Sequence, residues 1–157
     1  MGLLNTGKNL DVNTTIFMKS NICVFFMLFA FISLDAQTSI NKEILNIQNF
    51  LYTNSYYKSK ADVKLWVNKA ETQIEIGYAK FNLNDIRMSY SYHEQDRVHL
   101  VGFMCKEGGN CIEMRPPLSD EPFANGYYLG FKTKKNCYDF MELLGALRRK
   151  LNRANGF

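Results

Sequence analysis

Ile86-Arg87-Met88-Ser89-Tyr90-Ser91-Tyr92 places a large apolar or aromatic side chain at every second position and a polar one between. A period of two is that of a β-strand with one face buried and the other solvated. Turn chemistry brackets it, with Asn82-Leu83-Asn84-Asp85 before and His93-Glu94-Gln95-Asp96 after. Further back, Ile74, Ile76 and Tyr78 alternate with Gln73, Glu75 and Gly77, while Val63, Leu65 and Val67 alternate with Lys64 and Trp66, across a turn at Asn68-Lys69-Ala70. Further on, Val98 to Cys105 is apolar on both faces, which predicts a central strand. The loop Lys106-Glu107-Gly108-Gly109-Asn110 leads into Cys111-Ile112-Glu113-Met114, which reads as a hairpin partner of the preceding strand. Pro116-Pro117 stops the ladder, and a last strand runs from Tyr127 to Lys132 after the turn Asn125-Gly126.

At either end of these strands the period changes to that of a helix. Ile40, Ile44, Ile47 and Leu51 recur at spacings of four, three and four, with Thr38 or Ser39 able to cap the start. Cys137, Phe140, Met141, Leu144, Leu147 and Leu151 form the second stripe, for which Thr133 and Asn136 both qualify as N-cap. The sequence predicts an α+β fold: an antiparallel sheet or partly open barrel of about six to seven strands, with an N-terminal helix and a C-terminal amphipathic capping helix.

The segment 18–36 carries an address. Lys19 precedes an apolar run from Ile22 to Leu34 broken only by Ser33, and Gln37-Thr38-Ser39 follow with no cluster of cations. The run is shorter than the roughly 20 residues a spanning helix needs, so it reads as a signal peptide cleaved near Ala36. An internal apolar helix or an uncleaved anchor is the alternative. Met18 is a better initiator for such a signal than Met1, which makes 1–17 an upstream extension and 37–157 the single folded domain. A lipid anchor needs a cysteine just after the run, whereas Cys23 lies at its beginning. The expected location is periplasmic or secreted, with no transmembrane span in the mature chain.

The composition, 46% hydrophobic, 22% charged and 14% aromatic over 157 residues, excludes a disordered, collagen-like or polytopic membrane chain. The formal net charge is only +4, and it is unevenly spread. Lys132, Lys134, Lys135, Arg148, Arg149, Lys150 and Arg153 gather on the last helix and its approach, against Asp139 and Glu142. These seven are the expected contacts for an anionic surface, and their pull on it would be salt-dependent. A solvated helix face, with Arg148 to Arg153 placed where the dipole favours cations, explains the same pattern equally well.

In an oxidising compartment Cys105 and Cys111 are placed to form a disulfide, since the intervening loop brings them opposite each other. A redox or zinc pair is the alternative, but no Cys-x-x-Cys and no further ligands at matching spacing are present. Cys137, on the apolar stripe of the second helix, reads as a small core residue. His93 and His99 with Glu94 and Asp96 form a conceivable surface metal site, although solvated turn residues account for them better. The sequence has no Gly-x-Ser-x-Gly elbow, Walker loop or His-Glu-x-x-His helix, so no catalytic residue, metal or cofactor is indicated. Tyr90 and Tyr92 share a sheet face, where core packing is the default reading over stacking on sugar or nucleic acid.

Tyr128-Leu129-Gly130-Phe131-Lys132-Thr133, running into a helix with Phe140, Leu143, Leu144 and Leu147, resembles the end of a pleckstrin-homology-like domain. In that fold a final strand feeds a helix that plugs a barrel. Phe81 to Ile86 is similar to an inner strand of the same fold, and the stretch Cys105 to Ile112 resembles small exported proteins of Bacteroidetes type. The likeness spans Asp62 to Leu151. The helix at Thr38 to Asn54 departs from the pattern, and no phosphoinositide-binding set of basic residues stands in the Lys69 or Asn82 turns. A cystatin-like sheet wrapped on the first helix is the second fold expectation.

The functional expectation is an exported binding or interaction module of the cell envelope without catalytic activity, meeting an envelope protein or anionic surface and not nucleic acid. A small-ligand carrier or small hydrolase with a pocket between helix and sheet, and an envelope assembly protein, are the alternatives.

Overall fold

A computed structural model describes residues 38–57, 63–115 and 122–157, so the expected signal segment 18–36, the extension 1–17 and the Pro116-Pro117 stop lie outside the described residues. Residues 38–54 form helix α1, with Ile40, Ile47 and Leu51 buried and Ile44 packed beside them, while Leu45 faces solvent. Eight strands follow: β1 Leu65–Asn68, β2 Gln73–Ile76, β3 Ala79–Asn82, β4 Ile86–His93, β5 Val98–Cys105, β6 Ile112–Met114, β7 Phe123–Ala124 and β8 Gly126–Phe131. Helix α2, Lys134–Ala154, completes the chain. The fold is α+β and open, because the strands divide into two antiparallel sheets, β1-β2-β3-β6-β7 and β4-β5-β8.

Two connections depart from the sequence pattern. The run Ile74-Ile76-Tyr78 is not one strand, since Ile76 pairs with Ala79 across the two-residue turn Gly77-Tyr78 and the chain doubles back as β3. Gly77 has φ of +60° at the first turn position, the conformation that the type II′ hairpin demands of glycine. The second departure concerns β5 and β6, which share no ladder: β5 is the central strand of one sheet and β6 pairs with β3 and β7 in the other. The loop 106–110 is thus a crossover between layers and not a hairpin connection. The turn 83–85 makes a second crossover alongside, tied by the Lys106 N–H donating to the Asp85 carbonyl at 2.8 Å.

The core lies between the helices and the inner faces of both sheets. Phe81 of β3 meets Phe103 of β5 at 4.9 Å between ring centres, joining the sheets, and Phe131 of β8 meets Phe140 of α2 at the same separation. Phe50 of α1 stacks on Phe140 at 6.3 Å. Side chains of α1 and α2 also close exposed backbone. Gln48 treats the edge of β1 as a neighbouring strand would, accepting from the Leu65 N–H at 2.6 Å and donating to the Val63 carbonyl at 3.2 Å. At the far end of α2, Asn152 and Asn84 exchange amide hydrogen bonds of 3.0 and 3.1 Å, and Asn155 donates to the Lys69 carbonyl at 2.8 Å. Residues 54–56 run along β8, with the Tyr56 N–H bonded to the Gly130 carbonyl at 2.9 Å and the Lys132 N–H to the Asn54 carbonyl at 3.1 Å.

Candidate functional site

The Cys105–Cys111 disulfide is present, with its Cα atoms 5.8 Å apart. It closes the crossover from one sheet to the other, and Gly108 and Gly109, at φ of +72° and +91°, let the short loop turn. Asn84, Asp85, Lys106 and Glu107 surround it in a shallow hollow of about 300 Å³. Cys137 stands apart, fully buried on the inner face of α2, where desolvation pushes its thiol up to about 11. Such a thiol is a packing group and not a nucleophile at neutral pH.

The seven cations expected to form one anionic-surface contact fall into two groups. Lys132, Lys134 and Lys135 stand where α2 begins, and Arg148, Arg149, Lys150 and Arg153 near its end. At a rise of 1.5 Å per residue, Lys134 and Arg153 are about 28 Å apart along the axis. The distal group is partly engaged in the fold. Lys150 pairs with Glu43 of α1, and Arg148 donates to the Leu83 carbonyl at 3.4 Å, which leaves Arg149 and Arg153 exposed.

The proximal group adjoins an aromatic shelf. Tyr92 and Tyr90 of β4, His99 of β5 and Tyr138 of α2 are brought together because the register sets Tyr92 opposite His99, and Tyr138 lies one helical turn after Lys134. Tyr90 Oη lies 3.0 Å from His99 Nδ1, the Tyr90 and Tyr138 rings stack at 5.5 Å, and Tyr92 tilts against His99 at 4.9 Å. The Lys134 ammonium lies over two rings, 5.4 Å from the centre of Tyr90 and 5.9 Å from that of Tyr138, an arrangement the ring quadrupoles favour. Tyr92 is 45% exposed and Tyr138 48%, so the shelf is open to a partner. Among the described residues Lys134 has no carboxylate partner, whereas Lys135 pairs with Asp139 and Lys132 donates to the Thr53 carbonyl. Thr133, not Asn136, is the N-cap, its hydroxyl accepting from the Asn136 N–H at 3.1 Å. The first turn of α2 holds no acid, so its positive dipole end is not neutralised from within. The sequence reading placed Tyr90 and Tyr92 in the core; Tyr90 is half-buried and Tyr92 reaches the rim. Tyr138, a large aromatic on the charged side of an amphipathic helix, was the available signal.

The two histidines do not meet. His93 and His99 point to opposite faces of the sheet by the β4–β5 register, His93 pairing with Asp96 at 3.1 Å and His99 with Tyr90. Among the described residues no group of three His, Cys, Asp or Glu side chains is placed to hold a metal ion. Between α2 and the three-stranded sheet, Phe103, Leu129, Phe131, Phe140 and Leu144 are all fully buried. No helix among the described residues is long and apolar enough to cross a membrane. Compared with protein-family models, curated proteins and solved structures, the chain matches none.

Proposed function

We propose that the protein is an exported, non-catalytic interaction module of the cell envelope that docks on an anionic surface through the start of α2. The observation that carries this reading is the uncompensated Lys134 held over the Tyr90 and Tyr138 rings, beside exposed Tyr92 and the unneutralised helix end. Aromatic rings with a polar tip suit a boundary that is wet on one side, and a cation without an acidic neighbour keeps its full pull on an anion. The export half of the reading is supported by the pattern of residues 18–36 and by a disulfide of the kind that persists in oxidising compartments.

Two measurements test it. Intact mass of the protein recovered from fractionated cells, alkylated before and after reduction, should give a chain starting near Gln37 with two thiols protected until reduction. A full-length cytoplasmic product with free thiols refutes export. Co-sedimentation with phosphatidylglycerol vesicles should be strong at low salt, weaken as the Debye length shrinks, and fall in Lys134→Gln. Because the two cationic groups sit at opposite ends of α2, a loss confined to Arg149→Gln with Arg153→Gln would move the contact to the other end and refute the assignment.

A further inference from the structure

The solvent face of the five-stranded sheet carries the chain's one tryptophan, and the register determines what surrounds it. Trp66 pairs with Glu75, Glu75 with Lys80, and Lys80 with Glu113, so these four form a row across β1, β2, β3 and β6. Two residues along each strand, the neighbouring row is Lys64, Gly77, Tyr78 and Arg115. It is held by the Gly77 N–H donating to the Lys64 carbonyl at 3.1 Å and the Arg115 N–H to the Tyr78 carbonyl at 2.8 Å. Gly77 is there because the turn requires its φ, yet having no side chain it also leaves a gap in the row. Lys64, Trp66, Glu75, Lys80 and Arg115 stand round this gap and border an open concavity of about 490 Å³ on the sheet surface.

The chemistry of the walls narrows the ligand. Trp66 is 49% exposed, a flat apolar surface that water covers poorly. Around it the polar groups are fixed in pairs, Arg115 with Glu75 at 2.7 Å and Lys80 with Glu113 at 3.1 Å, which place donors and acceptors side by side. A pyranose offers the complement: an apolar face of C–H bonds for the indole and a rim of hydroxyls that both donate and accept. Three cations against two carboxylates, with Lys64 lacking an acidic partner among the described residues, favour a sugar bearing an acid group.

We infer that the concavity around Trp66 is a saccharide-binding site, with the indole as stacking platform, the Arg115–Glu75 pair and Lys80 as hydroxyl contacts, and Lys64 as contact for a carboxylate. The site lies on the other sheet from the Lys134 shelf and does not depend on it.

Because Trp66 is the sole tryptophan, its emission reports the site directly. Titrating the purified protein with cellotriose, triacetylchitotriose and trigalacturonate should give a saturable blue shift with at least one, trigalacturonate being the tightest and salt-sensitive. By calorimetry, Trp66→Ala should weaken binding about tenfold or more, with Trp66→Phe intermediate, as a stacking contact requires. Arg115→Ala should weaken it comparably, Lys64→Gln should erase the preference for trigalacturonate, and Lys134→Gln should change nothing. Arg115 and Lys64 are both exposed, so these variants carry the test if Trp66→Ala fails to fold. No saturable change with any of the three saccharides overturns the inference, as does calorimetric binding that survives Trp66→Ala. Concentration-dependent self-association abolished by Trp66→Ala would make the indole a protein-interface anchor and overturn it equally.

Discussion

Removing the Cys105–Cys111 bond tests how much the crossover between the sheets depends on being closed. The cysteines are six residues apart in sequence. In the chain-entropy treatment, −2.1 − 1.5R ln n with n of about six gives a stabilisation of about 2 kcal/mol at 25 °C, arising in the unfolded chain. The variant Cys105→Ala with Cys111→Ser respects the burial of the first position and the partial exposure of the second. For a unit the size of 39–157, that loss corresponds to a fall in melting temperature of about 8 °C. Urea denaturation followed by circular dichroism should show the midpoint falling, with the slope equal or slightly raised because the unfolded chain without the small loop exposes no less surface. The unaltered protein held in reducing agent should coincide with the variant. A difference below about 0.5 kcal/mol would refute the loop-closure argument. A variant already unfolded in buffer would refute it from the other side, showing that the bond holds the two sheets together instead of merely restricting the unfolded chain.

Three further outcomes follow from single side chains. Gln48→Leu, which strips both hydrogen bonds from the edge of β1, should destabilise the protein by about 1–3 kcal/mol in urea melts, because the Leu65 N–H is left unsatisfied. Ser55 has a buried hydroxyl with no hydrogen-bond partner among the described residues, so Ser55→Ala should leave stability unchanged or raise it by up to about 1 kcal/mol; a loss of that size in the same assay contradicts the assignment. Burial raises the Cys137 thiol from 9.0 to about 11, so between those values the unfolded chain releases a proton that the folded chain keeps. Stability linked to this proton is intact below pH 9 and declines as pH rises toward 11, and Cys137→Ala should flatten that part of the pH profile.

Much of the architecture was legible because alternation and helical spacing are direct records of burial. The inward set Ile86, Met88 and Tyr90, the stripe Cys137, Phe140, Leu144, Leu147 and Leu151, and the central place of Val98 to Cys105 all stand as the period implied. The hairpin at Gly77 was hidden because Ile74, Ile76 and Tyr78 keep a period of two straight through a turn, and only a backbone angle distinguishes the fold-back. Periodicity is also silent on which sheet a strand joins, so β6 read as the partner of β5. The pairing of Cys105 with Cys111 was legible from the short loop between them; that the loop crosses between sheets and is not a hairpin was not. The basic residues looked like one patch because their counts were summed over the helix, whose rise of 1.5 Å per residue sets Lys135 and Arg148 about 20 Å apart along the axis. Tyr138 and Trp66 were each a single aromatic on a polar face, a signal easily absorbed into strand or helix propensity.

The closed crossover also bears on the order in which the chain assembles. Loops of about ten residues close in roughly 10–100 ns, far sooner than distant strands find each other. Cys105 and Cys111 meet on that scale, whereas β8 must travel past β6 and β7 before Phe131 reaches His99 and completes the three-stranded sheet. An oxidised chain begins its search with the direction of β6 already constrained at the end of β5, and the non-local pairing that dominates the barrier starts from a smaller ensemble. Loss of the bond is therefore expected to slow refolding more than it hastens unfolding, a difference that stopped-flow kinetics of the oxidised and reduced chain would read.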